Sequence, residues 1–187
     1  MREIPHYTFS PPTTFEIKTK VFSNNNFKIE KVMKKEEEIN ELVNAGISEE
    51  VAKFVFSDTR NNKALNAEGM EIGDEITIAG IADKPSESVI DGVSRQWVDV
   101  LTTGDRASIS IAKLVGTAKK AKYFAANRPD TKIMAGGFDE SKVLILPTRE
   151  GDALKAVAKL IGKTYKVVAI AENCGTYIQT YYLFAEV

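Results

Sequence analysis

The sequence predicts an α+β protein that is mostly β and is built around an OB-like antiparallel β-barrel with one internal helix. Strand-like segments dominate the chain beyond residue 67, Gly, Asn and Asp separate several of them, and one helical segment precedes the last two. A β-hairpin and a helical hairpin are predicted before the barrel. We therefore divide the 187 residues into an N-terminal appendage (1–66) and a barrel domain (67–187).

The appendage begins with a proline-containing arm that favours extended backbone. Apolar and charged residues alternate over 15–22 and 27–32 around the turn-forming Asn24–Asn26, which predicts a β-hairpin. Residues 34–57 have helical spacing instead. Gly46 separates their two apolar runs and Ser48 is placed to cap the second, so two helices joined by a short turn are expected.

The barrel domain contains strand-like segments at 75–82, 97–102, 107–112, 142–146, 164–171 and 176–187. Leu154, Val157 and Ile161 lie on one face of a helix that Gly162 ends, with Thr148 as the expected N-cap. The first three strands would form a meander, and the helix and the last hairpin would close the barrel. Segment 142–146 is either a sixth strand or part of the long connection. A generic barrel or sandwich with one helix is the alternative fold.

Several functional classes lack the residues they need. The chain has one histidine (His6) and one cysteine (Cys174), which are too few for a Cys/His zinc site or an internal disulfide. A histidine-based triad could use only His6, which lies in the proline-containing arm, and Cys174 has no histidine near it in the sequence. We therefore predict no catalytic residue, no metal, no cofactor and no enzyme activity, although a hard-cation site made only of carboxylates stays open. No apolar run is long enough to span a membrane and no secretory signal is visible, so a cytoplasmic protein is expected.

The formal net charge of −1 conceals two oppositely charged segments. Residues 68–112 contain nine acids and three bases, whereas residues 113–132 contain six bases and one acid. Cations follow a phosphate backbone and aromatic faces stack on bases, so the basic segment predicts a nucleic-acid-binding groove. Its candidate residues are Lys113, Lys119, Lys120, Lys122, Tyr123, Phe124, Arg128 and Lys132. A short helix with a solvated lysine face is the competing interpretation.

Two further aromatic features could either stack on bases or simply pack within the fold. Trp97 follows Arg95 closely at the expected start of a strand, where it would stack on a base or simply close the edge of the barrel. The last strand carries Tyr177 and Tyr181 on one face and Tyr182 and Phe184 on the other. One face must be core, and we expect the N-terminal part of the chain to cover the other.

We predict that the protein binds single-stranded nucleic acid, DNA in the first instance, through Arg95, Trp97 and the basic segment. The alternative is a structural or assembly protein, for example a phage virion component that forms homo-oligomers. The proline-containing arm, the lack of catalytic groups and the segregated charge would all fit that alternative. A virion would then replace the cytoplasm as its location.

Overall fold

The computed structural model describes residues 14–57, 69–90, 92–115, 131–174 and 178–187, with the side chains of the first helix described from residue 28 onward. The chain forms two compact units, Met1–Glu38 and Ile39–Val187. None of the described helices is long and apolar enough to cross a membrane. The predicted division near residue 66 stays a prediction.

Two helices precede the sheet, Thr14–Asn44 (α1) and Glu49–Val55 (α2). The predicted β-hairpin over 15–32 is wrong, because those residues belong to α1. The sequence contains no Gly or Pro between Pro12 and Gly46, and Asn disfavours a helix by only about 0.7 kcal/mol per residue, so nothing interrupts the helix at Asn24–Asn26.

The predicted turn between the helices is confirmed. Gly46 has φ 88°, the left-handed conformation that commonly follows a helix C-terminus. Ser48 then caps α2, because its side chain accepts a hydrogen bond from the Val51 backbone N–H at 3.2 Å. Glu49 and Glu50 follow in the first turn, where the helix dipole favours acids.

Beyond residue 67 the described chain contains eight strands. Their bounds are Glu75–Ile81 (β1), Ser86–Ile90 (β2), Val93–Trp97 (β3), Asp99–Gly104 (β4), Ser108–Ser110 (β5), Lys132–Ile133 (β6), Thr164–Cys174 (β7) and Ile178–Glu186 (β8). One further helix, Glu150–Ala158 (α3), lies between β6 and β7. Residues 111–115, directly after β5, are also helical.

The strands form one antiparallel sheet and a separate hairpin. The pairing order of the sheet is β5-β4-β1-β7-β6, and β8 pairs with the other edge of β7. β2 pairs only with β3, in a two-stranded sheet of its own. The α+β class and the predominantly antiparallel sheet are confirmed, with about a third of the structure helical. The described strands do not close into a barrel, so that part of the prediction is not confirmed.

β7 pairs with three other strands of this sheet, β1, β6 and β8. Its first residues pair with β1, from Thr164 opposite Thr77 to Lys166 opposite Glu75. Further along, Ile170 pairs with Lys132 of β6. β8 pairs along almost the whole of β7.

Several predicted element bounds need correction. Segment 142–146 is not a regular strand, because a 3₁₀ turn (Glu140–Lys142) precedes it and it is attached by a single bridge from Val143 to Ala185. Thr148 does not cap α3, which begins after Arg149 without a side-chain cap. Trp97 ends β3 rather than beginning a strand, and the strand over 107–112 ends at Ser110, where the chain becomes helical.

The main hydrophobic core lies on one face of the sheet. It unites residues from the helices and the strands, among them Leu42, Val51, Ile76, Leu154 and Phe184. All five side chains are at most 2% exposed, so the last turn of α1 and both shorter helices contribute to the core of the larger unit.

A second, smaller cluster covers the other face of the β7–β8 pair. Tyr181 and Leu183 belong to it, and Met134, Phe138 and Val143 pack against it. Among the described residues, the chain between β6 and α3 covers this face, since those three residues lie there. The N-terminal part contributes to the opposite face, where Leu42 and Val51 share the main core with Tyr182 and Phe184. The expectation that the N-terminal part covers an aromatic face of the last strand therefore holds for Tyr182 and Phe184 and not for Tyr181.

Candidate nucleic-acid interface

The hairpin formed by β2 and β3 carries two of the predicted binding residues on one face. Arg95 and Trp97 are two residues apart on β3, and side chains alternate between the faces of a strand. Their cross-strand partners on that face are Ser88 and Ser86. These four side chains are half-buried, whereas Val89 on the opposite face is 69% exposed.

Asp99 fixes the indole of Trp97. The Nε1–H of Trp97 donates a hydrogen bond to Asp99 Oδ1 at 2.9 Å, and Ser86 Oγ donates to Asp99 Oδ2 at 2.6 Å. One carboxylate of β4 therefore holds the base of both hairpin strands. A hydrogen bond to a charged carboxylate is stronger than one to a neutral acceptor, so the orientation of the Trp97 indole is fixed before a ligand binds.

Lys113 lies in the helical residues that follow β5, and it is only 7% exposed. Its ammonium donates a hydrogen bond to the backbone carbonyl of Thr180 in β8 at 3.2 Å. The bond connects the chain after β5 with β8, two strands that do not pair. This ammonium supports the fold, whereas its basic sequence context predicts a phosphate contact.

Lys132 begins β6 and is exposed. It pairs with Ile170 of β7, and Glu172, two residues further along β7, pairs with Thr180, the residue that Lys113 contacts. The two ends of the basic segment 113–132 are therefore attached to the same part of the β7–β8 pair.

The other six predicted residues of the basic segment lie outside the described residues. They are Lys119, Lys120, Lys122, Tyr123, Phe124 and Arg128. Their roles stay predictions.

The aromatic residues of β8 do not offer a stacking platform where their side chains are described. Tyr182 and Phe184 are 1% and 2% exposed in the main core, and Tyr181 is 6% exposed in the smaller cluster. The Tyr182 hydroxyl is also engaged, since it accepts a hydrogen bond from the Gly69 N–H at 3.0 Å. Base stacking through these rings would require the core to open.

Sequence reasoning missed the β2–β3 hairpin and the role of Asp99. A signal for the hairpin was present, because Asp91-Gly92 stands between Val89-Ile90 and Val93, and Asp-Gly is a strong hairpin dipeptide. Gly92 has φ 73°, as such turns require. Asp99 carried no comparable signal, since its contact to Trp97 depends on how β3 continues into β4.

The pKa values of Lys163 and Tyr165 are shifted by burial and by contacts near the start of β7. Burial raises the pKa of Tyr165, and the nearby Glu186 carboxylate raises it further. Glu186 also accepts a hydrogen bond from Lys163 at 2.9 Å, which raises the pKa of that ammonium. Within the described part of the chain, no three His, Cys, Asp or Glu residues are grouped so that they could hold a metal ion.

No family model matches the chain, and neither a curated protein nor a solved structure matches it.

Proposed function

We propose that this protein binds single-stranded nucleic acid, DNA in the first instance, without catalysing a reaction. The observation that carries the proposal is the placement of Arg95 and Trp97 on one face of the β2–β3 hairpin, with the indole held by Asp99. A cation beside an oriented aromatic ring can neutralise a phosphate and stack on the adjacent base without reading its identity.

The order of the strands supports an OB-like architecture for this site. In an OB fold a three-stranded meander is followed by a helix and a closing hairpin, and β1, β4, β5, α3, β7 and β8 follow that order. The connection between the first two strands of an OB fold contributes to its binding surface. The β2–β3 hairpin occupies the connection between β1 and β4, so an OB-like architecture would make Arg95 and Trp97 part of its binding surface.

The closure that an OB-like barrel requires is supported by Lys113. In this architecture the third and fifth strands, here β5 and β8, approach each other. The bond from Lys113 to the Thr180 carbonyl links the chain after β5 to β8 without strand pairing. We propose a partly open barrel in which this buried lysine connects the two edges.

The charge of the basic segment supports a phosphate-binding role. Apart from the buried Lys113, residues 114–132 carry five bases and one acid, and the segment is connected to the β7–β8 pair through Lys113 and Lys132. Lys132 is exposed at one end and available for a phosphate. Lysines and aromatic residues between these ends would extend the surface that Arg95 and Trp97 begin.

Trp97 provides a direct test, because it is the only tryptophan in the chain. Titration with a labelled oligo-dT should quench the Trp97 fluorescence and raise the anisotropy of the label, with matching midpoints. A stacked base contributes about 1–3 kcal/mol, so Trp97→Leu should weaken binding by about fivefold to 150-fold. Arg95→Gln should lower the salt dependence by about one phosphate contact.

Val89→Gln is the matched control, since Val89 lies on the exposed opposite face of the same hairpin. It should leave both the affinity and the salt dependence unchanged. Affinity weaker than about 100 µM at low salt would overturn the proposal, because several phosphate contacts give tighter non-specific binding than that. Binding without a change in Trp97 fluorescence would exclude the hairpin as the site.

A structural or assembly protein is the second candidate, with a phage virion component as the example. Exposed apolar side chains on α1, at Ile29, Val32 and Met33, favour it because such clusters mark protein interfaces. Light scattering without nucleic acid separates the two. A ring or a higher oligomer would favour assembly, whereas a monomer or dimer that binds oligo-dT would favour the first proposal.

A further inference from the structure

We propose that α1 pairs with α1 of a second copy of this chain, in parallel and in register. The contact surface is a stripe formed by Ile29, Val32 and Met33, which are 56%, 51% and 56% exposed. These residues are three and four positions apart, so they lie on one side of the helix.

A helix of this composition needs a partner. Most helical stability in proteins comes from packing an apolar face, and isolated helices are marginal in water. α1 includes three consecutive asparagines at 24–26, which disfavour a helix, and its first part belongs to a compact unit that ends at Glu38. Burial of the Ile29, Val32 and Met33 stripe would supply the missing packing.

The charges beside the stripe point to a second copy as that partner. With 3.6 residues per turn, Lys28 and Lys35 lie about 100° to one side of the stripe. Glu30 and Glu37 lie about 100° to the other side. The helix therefore presents a basic flank and an acidic flank on either side of one apolar surface.

Only one orientation makes these flanks complementary. When two identical helices pack in parallel about a twofold axis, the left flank of each faces the right flank of the other, so lysines face glutamates. In an antiparallel pair each flank faces its own copy, so like charges meet. The surface is therefore complementary to itself in the parallel arrangement, as a symmetric dimer requires.

Glu36 limits the extent of the pairing. It follows the stripe on the same side of the helix and would meet its own copy across the twofold axis. The apolar contact therefore ends near Met33, and the dimer is expected to dissociate on dilution.

The test is sedimentation velocity on the full chain, without nucleic acid, from about 1 µM to about 1 mM. We expect a reversible monomer–dimer equilibrium. The variant I29Q/V32Q/M33Q should raise the dimer dissociation constant at least about tenfold. At a concentration at which both chains are monomeric, its far-UV circular dichroism should match that of the natural sequence, because Gln favours helix at least as well as Ile or Val.

The matched control replaces three other exposed apolar residues in the same way, as V89Q/I145Q/I161Q. Those side chains are 69%, 64% and 54% exposed and none lies on α1. The control should dimerise like the natural sequence. A chain that stays monomeric throughout, or a stripe variant that dimerises as well as the control, would overturn the proposal.

Charge substitutions test the orientation. E30K/E37K makes both flanks basic and should weaken the parallel dimer, and adding K28E/K35E to that chain should restore it, because the flanks are then exchanged but still complementary. In an antiparallel pair neither step would produce this loss and recovery. A folded fourfold variant that fails to recover would exclude the parallel arrangement.

Discussion

Replacement of Tyr182 by Phe should destabilise the protein through the loss of one oxygen atom. The ring is 1% exposed and packs near Phe184 with ring centroids 6.4 Å apart, and Phe preserves that packing. The hydroxyl accepts hydrogen bonds from the Gly69 N–H at 3.0 Å and the Met70 N–H at 3.4 Å. Residues 69 and 70 are more than a hundred positions away in the chain, so these bonds connect the segment that enters β1 to β8.

The loss of stability depends on whether the Gly69 and Met70 N–H groups can find another hydrogen-bond acceptor in the variant. Gly69 is exposed, so its N–H can bond to water in the variant. Met70 is 5% exposed, so its N–H stays buried without that acceptor. One lost hydrogen bond and one poorly satisfied buried donor together cost about 1–2 kcal/mol. For a protein of this size the urea midpoint should fall by about 0.5–1 M.

The assay is equilibrium urea unfolding, followed by circular dichroism and by the fluorescence of Trp97. Tyr165→Phe is the matched control, because Tyr165 is 3% exposed yet its hydroxyl makes no hydrogen bond within the described residues. Its free energy of unfolding near neutral pH should change by less than about 0.5 kcal/mol. If Tyr182→Phe lowers the midpoint no more than this control does, the hydroxyl does not connect the two segments.

Three other predictions concern the fold. Gly104→Ala should lower the free energy of unfolding by at least about 2 kcal/mol, because Gly104 has φ 101° and a Cβ would lie 2.5 Å from a backbone oxygen. Gly80→Ala is the control and should be nearly neutral, because the space around Gly80 is open. Equal effects of the two variants in thermal or urea unfolding would contradict the steric argument. Ser48→Ala should cost about 1 kcal/mol through loss of the α2 cap, and an unchanged melting temperature would mean that the cap is dispensable. Raised pKa values of Lys163 and Tyr165 contribute stability that is complete below pH about 10 and is lost as the pH rises through the folded-state values. Tyr165→Phe should therefore reduce the alkaline loss of stability, and an identical pH profile would exclude that contribution.

The elements that the sequence predicted well are those with strong local signals. Gly46 and Ser48 mark the end of one helix and the start of the next, and both roles are confirmed. The apolar runs that became β1 and β7 were also recognised, because β-branched residues and flanking turn residues agree there. In these places local preference and tertiary packing favour the same structure.

The predictions failed where two periodicities were both present. Residues 15–32 alternate as a strand does, yet Ile29 and Val32, with Met33 directly after them, also have helical spacing. The structure has one continuous helix, α1, through both patterns. A pattern read over a few residues does not show that a helix continues on either side of it. For segment 142–146 the sequence left two alternatives, a sixth strand or part of the long connection, and the second holds. Val143 forms a single bridge to Ala185 and packs against the smaller cluster, which does not require a regular strand.

The candidate site could be predicted only in part. Arg95 and Trp97 were selected because a cation stands near a lone tryptophan, and β3 does place them on one face. Lys113 was grouped with its basic neighbours by charge alone, but its burial against Thr180 depends on how β5 and β8 approach each other. Charge counts identify a segment, whereas the fold decides which of its side chains reach solvent.

The long pairing of β7 also determines when the sheet can form. β1, β4 and β5 lie close together in the chain, with only the β2–β3 hairpin between β1 and β4, and they can pair locally. Glu75 pairs with Lys166, about ninety residues later, so that contact forms only after a long stretch of chain has closed. Pairings between residues far apart in the chain form slowly, because the entropy of closing the intervening chain is lost before the contact stabilises it. During synthesis α1 and α2 precede these strands and can cover part of their apolar face, but the rest would stay uncovered until residues 164–186 leave the ribosome. The rate of refolding should therefore be limited by the pairing of the β7–β8 hairpin with β1 rather than by helix formation.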